Sequence, residues 1–444
     1  MKKLLALVLA AIMLVACCAA LAEEGYPEVT DAYDFGGAEI WIADYWSSAN
    51  WDANTDMTEE QEATYNYRRW IESTFNCTVK TVQDGDWGSN VEQLINFCSA
   101  PDGSYRLYIL PPDFVATPMA NNLFAAWQGD MTDEHWNSST VGFMTKGGNV
   151  YGVSTGYCEP RPCLYFNKRV LEEAGINWES IYDMQAEGTW TWDAFEAMLQ
   201  QITKDTDNDG VTDIYGMTGS NMDLYLEGVF SNGGTFFEYD ENGKLAIACN
   251  TDEVIEGMQW AKDIWNNYGY QQPADGQWDY YKTAWKEGFC GFYMYQTYGG
   301  FNDNSEMADM VDEWGCVAFP MGKLGNYIGY VSENVTVIPN VYTEEEVAGL
   351  TAFYKLWTTA TPGYDDEDSW IGNKYNYTDE RAVEETYAML RQPEHQLWNK
   401  CLFLGSLNDV LGADFMWNLG GSDPAALIEA KTPVWQGLLD GFNK

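Results

Sequence analysis

The sequence predicts an α/β protein of more than one unit, in which helices cover mainly parallel sheets. Segments with the two-residue alternation of strands are followed by segments with helical spacing, the pattern of a parallel sheet whose connections are helices. A length of 444 residues exceeds one ordinary core and implies two or more domains or lobes. The 46% hydrophobic content, with 20 Trp, 29 Tyr and 19 Phe, supplies packed interiors, so the acidity of the chain belongs to a solvated surface and not to disorder.

The N-terminus reads first as an address. Met1-Lys2-Lys3 precedes an apolar run from Leu4 to Ala22 that stops at Glu23-Glu24, the form of an export signal. Two cleavage sites compete. Ala20-Leu21-Ala22 fits release of a soluble product after a signal at 1–22, whereas Leu14-Val15-Ala16-Cys17 resembles a lipobox, with a signal at 1–16 and lipid on Cys17. The lipoprotein is favoured, and an uncleaved anchor is disfavoured by the alanine-rich end. The protein is therefore expected outside the cytoplasm, as a cell-surface lipoprotein or a periplasmic or secreted protein, touching the membrane only through that anchor.

Next come the folded elements. Ala38–Ala43 alternates as a strand and Tyr45–Trp51 follows as a loop; Glu59–Phe75 carries Tyr65, Trp70, Ile71 and Phe75 at helical spacing. Thr78–Val82 returns to strand, Val91–Cys98 to helix, and Arg106–Leu110 to strand before Pro111-Pro112. Loops leaving the carboxyl ends of such strands gather at one crevice, which makes Tyr45–Trp51, Asp84–Trp87 and Pro111–Phe114 site candidates. A second unit begins near Tyr151. Helices are predicted at Lys168–Ala174, Thr191–Ile202, Asp252–Tyr268, Glu344–Thr359 and Glu380–Arg391, with a buried strand at Gly288–Tyr295.

Composition excludes several functions. With 23 Lys+Arg against 68 Asp+Glu the formal charge is −45, which repels phosphate backbones, so no nucleic-acid partner is expected. The two histidines, His135 and His395, sit among polar neighbours and read as exposed surface residues, which leaves no imidazole for a catalytic triad or zinc site. Of the ten cysteines, Cys158 and Cys163 flank the stiff stretch Glu159-Pro160-Arg161-Pro162, where a disulfide and two buried thiols are equally open readings.

A family resemblance rests on an ordered set of blocks: Tyr151-Gly152-Val153; Tyr165-Phe166-Asn167-Lys168 with Leu171 to Ile176; Gly188-Thr189-Trp190-Thr191-Trp192-Asp193-Ala194-Phe195; Asn232-Gly233-Gly234; Ala284-Trp285-Lys286-Glu287-Gly288; and Val317 to Gly322. With them the chain resembles family 1 of the extracellular solute-binding proteins of bacterial ABC importers, the group of maltose- and oligosaccharide-binding receptors. The resemblance implies a periplasmic-binding-protein-like fold of two lobes joined by a crossover hinge and closing on ligand. It places crossovers near Ser154–Tyr157, Tyr295–Tyr298 and Tyr330–Val335. The lobes then comprise 23–155 plus 296–329, and 156–295 plus 330–444. The implied partners are a small-molecule carbohydrate and the transmembrane subunits of an ABC permease, with the protein acting as a monomer.

Sugar C–H faces stack on aromatic rings while hydroxyls need amides, carboxylates and Arg. Strand-end and crossover positions therefore single out Tyr45, Trp46, Trp87, Tyr157, Tyr225, Tyr295 and Tyr298 for stacking. Glu159, Arg161, Asp223, Gln296, Glu333 and Asn334 are their polar partners. For Glu159 and Arg161 a salt-bridged surface loop is an equal reading. Trp190 and Trp192 are excluded, because their place in the motif is a helix start where they pack the lobe.

The stretch 205–213 offers calcium-type oxygens: Asp205, Asp207 and Asp209 at loop positions one, three and five, the Val211 carbonyl at seven and Asp213 at nine, with Gly210 for the turn. Gly216 stands where an EF-hand has its bidentate Glu. Structural calcium is expected, against a plain Asp/Gly turn; no catalytic cofactor is expected.

Three functions compete. A binding receptor makes and breaks no bond; a secreted glycoside hydrolase needs two carboxylates facing across the sugar; a calcium-dependent adhesin needs an exposed sugar site. Among 68 acidic residues a facing pair can always be found, so carboxylates alone discriminate nothing. The expected function is a non-enzymatic receptor capturing a carbohydrate, an oligosaccharide, in the interlobe cleft, the alternative being the same receptor for a non-sugar solute.

Overall fold

The structure, a computed structural model, describes residues 25–29, 32–47, 57–301, 307–365 and 379–443. The export signal, its cleavage motifs and Cys17 lie outside these residues. No helix among the described residues is long and apolar enough to cross a membrane.

In chain order, the elements that position the site are β1 (Ala38–Asp44), α1 (Glu59–Thr74), β2 (Cys77–Gln83), α2 (Asn90–Ser99), β3 (Tyr105–Leu110), β4 (Pro162–Asn167), α3 (Trp192–Ile202), β5 (Tyr215–Gly219), α4 (Asn221–Ser231), α5 (Asp252–Tyr268), α6 (Tyr280–Lys286), β6 (Cys290–Gln296), β7 (Trp314–Val317), β8 (Val335–Val337), α7 (Glu344–Trp357) and α8 (Pro424–Phe442). Local chemistry starts the long helices. Thr58 with Gln61, and Thr343 with Glu346, form capping boxes that satisfy orphan N–H groups of α1 and α7.

The first lobe is built on a four-stranded sheet of order β8-β3-β1-β2. Strands β1, β2 and β3 run parallel, with Ile40 opposite Val79 and Ile42 opposite Leu107, while β8 is antiparallel to β3. Ile40, Ile71, Phe75, Leu107, Leu350 and Phe353 fill its core between the sheet and helices α1 and α7. The second lobe has the sheet β7-β4-β6-β5. Here β5, β6 and β7 share one direction, and β4 runs against both its neighbours. Two of this sheet's three pairings are thus antiparallel, which corrects the expectation of a mainly parallel ladder there. The cause is the crossover: β4 and β8 are the strands that enter a lobe from the other one, and each enters against the local direction.

Pairing also corrects the predicted lobe boundaries. β7 at 314–317 pairs with β4, so the segment after β6 stays in the second lobe, and Tyr295–Tyr298 is not a crossover. β8 at 335–337 pairs with β3 and α7 packs on α1, so this stretch belongs to the first lobe. The chain leaves the first lobe after Val153, which bridges Thr336, and re-enters it after Val331, which bridges Pro160. The C-terminal helix α8 returns to the second lobe, against α5.

Trp190 is fully buried with its indole N–H donated to the Ala318 carbonyl at 2.9 Å, and Trp192 stacks on Trp260 at 4.1 Å, so both pack the lobe as expected. The histidines are not exposed. His135 is half-buried with Nε2 at 2.9 Å from the Thr358 hydroxyl, and half-buried His395 places Nδ1 at 2.7 Å from the Tyr327 carbonyl. Cys158 and Cys163 are separate buried thiols, and burial pushes the Cys158 pKa up to about 11.

Candidate functional site

Carboxyl ends of β1, β2 and β3 face the crossovers. Asp44, buried at the end of β1, accepts the backbone N–H groups of Trp46 at 3.0 Å and Ser47 at 2.6 Å, a turn that sends Tyr45 and Trp46 out of the sheet. The Tyr45 hydroxyl donates to Asn334 Oδ1 at 2.9 Å, tying the end of β1 to the second crossover, and burial raises its pKa. Trp46 is half-exposed and meets Tyr45 edge-on. Trp87, beyond β2, is equally exposed and lies edge-on to Phe114, beyond β3, with centroids 4.7 Å apart.

The two crossovers touch each other. Glu333 accepts the Glu159 N–H at 3.2 Å through Oε2 and the Asn334 N–H at 2.9 Å through Oε1. Arg161 donates from Nη2 to the Ser332 carbonyl at 2.9 Å, its guanidinium lies 5.9 Å from the Tyr298 ring, and its Nε is buried without a partner among the described residues. Glu159 pairs with Arg391 at 3.6 Å, and Arg391 covers the exposed ring of Tyr157. These contacts tie half-buried Glu159 and Arg161 to the facing crossover, and Glu159 keeps a salt bridge, with Arg391, as the surface-loop reading allowed.

From the second lobe, the end of β6 supplies Tyr295, Gln296 and Tyr298. The hydroxyls of Tyr295 and Tyr298 are 3.0 Å apart, and Gln296 Nε2 reaches the Tyr330 hydroxyl at 3.4 Å. Thr297 donates its N–H to the Arg161 backbone carbonyl at 2.7 Å and its hydroxyl to the Pro160 carbonyl, which fixes the end of β6 against β4. A cavity of about 640 Å³ opens in the first lobe beside β1, β2 and β3, lined by Asp44, Trp46, Arg68, Thr155 and Trp357 among others.

Three predicted site residues are buried, the first of them Tyr295, which stacks on Tyr293 in the core of the second lobe. Tyr225 is fully buried in the core of the second lobe, because α4 is buried along almost its whole length and leaves no ring free for ligand. Asp223 is also buried, its Oδ1 accepting the Tyr330 hydroxyl at 2.8 Å, and desolvation raises its pKa. One turn on, Glu227 Oε1 accepts the Tyr330 N–H at 3.0 Å; burial lifts its pKa well above the ordinary value. Together they anchor the residue from which the second crossover departs. The sequence reading missed Asp44, Glu227, Tyr330 and Arg391; Tyr330 stood inside a named crossover, whereas nothing near Arg391 signalled a role.

The acidic loop is partly assembled. The carboxylates of Asp205, Asp207 and Asp209 lie within 4.8 Å of one another, all exposed. Asp213 is turned away: its Oδ2 accepts the Thr206 N–H at 2.7 Å and the Thr206 hydroxyl at 2.5 Å, and these bonds lower its pKa. Val211 is exposed, its N–H donated to Asp209 at 2.7 Å. Three of the four expected carboxylates therefore converge, and the fourth is engaged by Thr206.

Comparison with known proteins agrees with this architecture. The family profile described as bacterial extracellular solute-binding protein matches residues 72–361, which span both crossovers. The arabinooligosaccharide-binding protein of Halalkalibacterium halodurans is 32% identical over 122 residues, 27% of this chain and 23% of that relative's length. Among solved structures, the cyclic α-maltosyl-1,6-maltose binding protein from Arthrobacter globiformis superposes with TM-score 0.63 at 17% identity, covering 91% of this chain and 100% of that one. Mycobacterium tuberculosis UgpB in complex with glycerophosphocholine does so with TM-score 0.59 at 13% identity, covering 90% and 98%. At such identities these superpositions establish the two-lobed fold. With the profile spanning both lobes and the crossovers between them, the chain belongs to the bacterial extracellular solute-binding proteins.

Proposed function

We propose that the protein is a non-enzymatic receptor that captures an oligosaccharide between its lobes and hands it to the transmembrane subunits of an ABC permease. One observation carries this: rings and hydrogen-bonding groups from both lobes, Tyr45, Glu159, Arg161, Tyr298, Glu333 and Asn334, converge on the two crossovers. Groups held by the hinge itself feel ligand and lobe closure together. Trp46, Trp87 and Tyr157 add exposed rings around them. The similarity to an arabinooligosaccharide-binding protein and to a maltosyl-maltose binding protein supports a sugar cargo.

Thermal unfolding against malto- and arabino-oligosaccharides tests the reading, since a ligand bound only by the folded state raises the midpoint. A rise with one series, the sugar recovered intact, is the expected result. No rise with any sugar moves the ligand to another solute class, and sugar cleavage reinstates the hydrolase. Arg161→Gln should weaken the effective sugar about tenfold, the worth of a charge-assisted hydrogen bond, and lower the unliganded midpoint as well, since its bond to the Ser332 carbonyl is lost. Unaltered affinity would remove Arg161 from the site.

Export as a monomer with lipid on Cys17 completes the proposal; intact mass after expression in a bacterial host separates that form from one cleaved after Ala22. Calcium is proposed only as a structural ion of the 205–213 loop, with Asp205, Asp207 and Asp209 as ligands and Asp213 released from Thr206. Added calcium should then raise the unfolding midpoint in the wild type and not in Asp207→Asn. An unchanged wild-type midpoint would leave the loop a plain turn.

A further inference from the structure

The sheet of the first lobe is covered by its helices only part of the way. Ile40, Ile42 and Leu107 are buried beneath α1 and α7, whereas Thr81 and Ile109, on the same face and nearer the carboxyl ends of β2 and β3, are half-buried. Both line the cavity of about 640 Å³. Its walls are the first half of α1, with Glu60, Thr64 and Arg68, and the end of α7 with the chain beyond it, from Trp357 to Thr361. That volume lies within the range of about 300–1,000 Å³ usual for small-molecule sites.

These walls are polar and braced. The hydroxyls of Thr64 and Thr361 are 2.9 Å apart and join α1 to the chain beyond α7. The Arg68 guanidinium lies 4.7 Å from the centre of the Trp357 ring, which orients its fork of donors. Asp44 is held by the N–H groups of Trp46 and Ser47, and Thr155, bridged to Trp136, adds a hydroxyl from the first crossover. Tyr67 also lines the space, and its buried hydroxyl has no partner among the described residues. Trp46 lines the cavity and meets Tyr45 edge-on, so the cavity adjoins the crossovers, while Glu159, Arg161 and Glu333 are not among its walls.

We propose that this cavity is a second binding site, which holds one neutral monosaccharide within the first lobe and fills whether or not the lobes close. The chemistry of the walls selects that class. A guanidinium only donates, the carboxylates of Asp44 and Glu60 only accept, and threonine hydroxyls do both, a mixture that suits a ligand whose every hydroxyl donates and accepts. A small anion meets two carboxylates against one guanidinium on a chain of formal charge −45, and an organic cation meets Arg68. The Trp357 ring offers an apolar wall for sugar C–H groups. The site stands independently of the receptor reading above, since it draws on none of the groups that join the crossovers.

Titration calorimetry of the full mature chain with glucose, galactose, mannose, xylose and arabinose tests the site. At least one should bind, with an affinity that Arg161→Gln leaves unchanged while it weakens the oligosaccharide. Arg68→Met should weaken the monosaccharide about tenfold or more, the loss of a charged donor, and Thr64→Phe, which fills the space beside Thr361, should abolish its binding. Both variants should keep the wild-type affinity for the oligosaccharide, which also shows that they fold. Binding of none of the five sugars by the wild type overturns the site. So does monosaccharide binding that falls in Arg161→Gln and survives in Arg68→Met and Thr64→Phe, which puts the sugar between the lobes, and so does an equal loss of both ligands in the two variants, which marks a structural role. Binding of glycine betaine or an amino acid in place of the sugars, lost in the same two variants, overturns the ligand class. A wild type that binds a monosaccharide here and no oligosaccharide overturns the receptor reading and leaves this site standing.

Discussion

Gly219→Ala should lower the stability of the second lobe by about 3–4 kcal/mol and its unfolding midpoint by about 10 °C. Gly219 ends β5 with φ +137°, and a Cβ there would stand 2.2 Å from the Met294 carbonyl oxygen of β6. Two costs add: a backbone conformation that side chains rarely adopt, and a clash with backbone that only strand separation relieves. That pairing is the floor of the site, because Ser220, which donates its N–H to Met294 at 3.1 Å, begins α4, and Gln296 follows two residues after Met294. Gly103→Ala separates the two costs. With φ +87° and nothing within 4 Å of its Cβ, it carries the conformational cost alone, about 1 kcal/mol. Chemical denaturation of both variants checks the pair, and a Gly219→Ala loss no larger than that of Gly103→Ala would mean the strand ends do not approach as described.

Glycine at that position also shows why the second lobe was hard to read. β1 and β2, seven residues each, show their period in the sequence, and α1 announces itself with a capping box. β5 is Tyr-Gly-Met-Thr-Gly, β7 four residues and β8 three. Strands this short exist because of their partners, and a partner cannot be read from local alternation. The lobe boundaries failed for the same reason, since nothing within Val335–Val337 says that it pairs with β3. Helix α8 was missed because Pro433 stands inside it.

The site was legible where topology alone places side chains. Loops at strand ends gather in this architecture, which pointed to Tyr45, while Glu159, Arg161, Glu333 and Asn334 came from the crossovers the family resemblance implied; the structure places the five in contact across the two crossovers. Tyr225 and Asp223 failed because they lie on α4, which is buried on almost every side. A helix enclosed in this way offers no face to ligand, and the apolar residues Met222, Leu224, Tyr225, Leu226, Val229 and Phe230, spread around it, were the available sign.

The carboxylates on α4 make the second large prediction, a stability that falls as pH rises. Glu227 is fully buried, its Oε2 has no partner among the described residues, and desolvation raises its pKa well above 4.5. Below about 4.5 both the folded and the unfolded chain hold this proton, so nothing is lost. Above that value the unfolded chain releases it while the buried group keeps it, and each pH unit costs about 1.4 kcal/mol until the folded-state pKa is passed. Asp223, raised by the same desolvation, acts in the same sense; Asp102, held down to about 2 chiefly by hydrogen bonds from Ser104, acts in the opposite one, its stabilisation being lost as pH falls below 3.8. Glu227→Gln isolates the first contribution, since the amide oxygen can still accept the Tyr330 N–H and nothing titrates. The variant should match the wild type at pH 4.5 and exceed it by a margin that widens as the pH is raised towards 7 in urea unfolding. Glu227→Ala should instead be weaker than the wild type at pH 4.5, because it strands the buried Tyr330 N–H at the root of the second crossover, a cost of about 1–3 kcal/mol. A Gln variant whose difference from the wild type is the same at both pH values would mean that Glu227 titrates as an ordinary carboxylate, and that the crossover is not anchored on a protonated one.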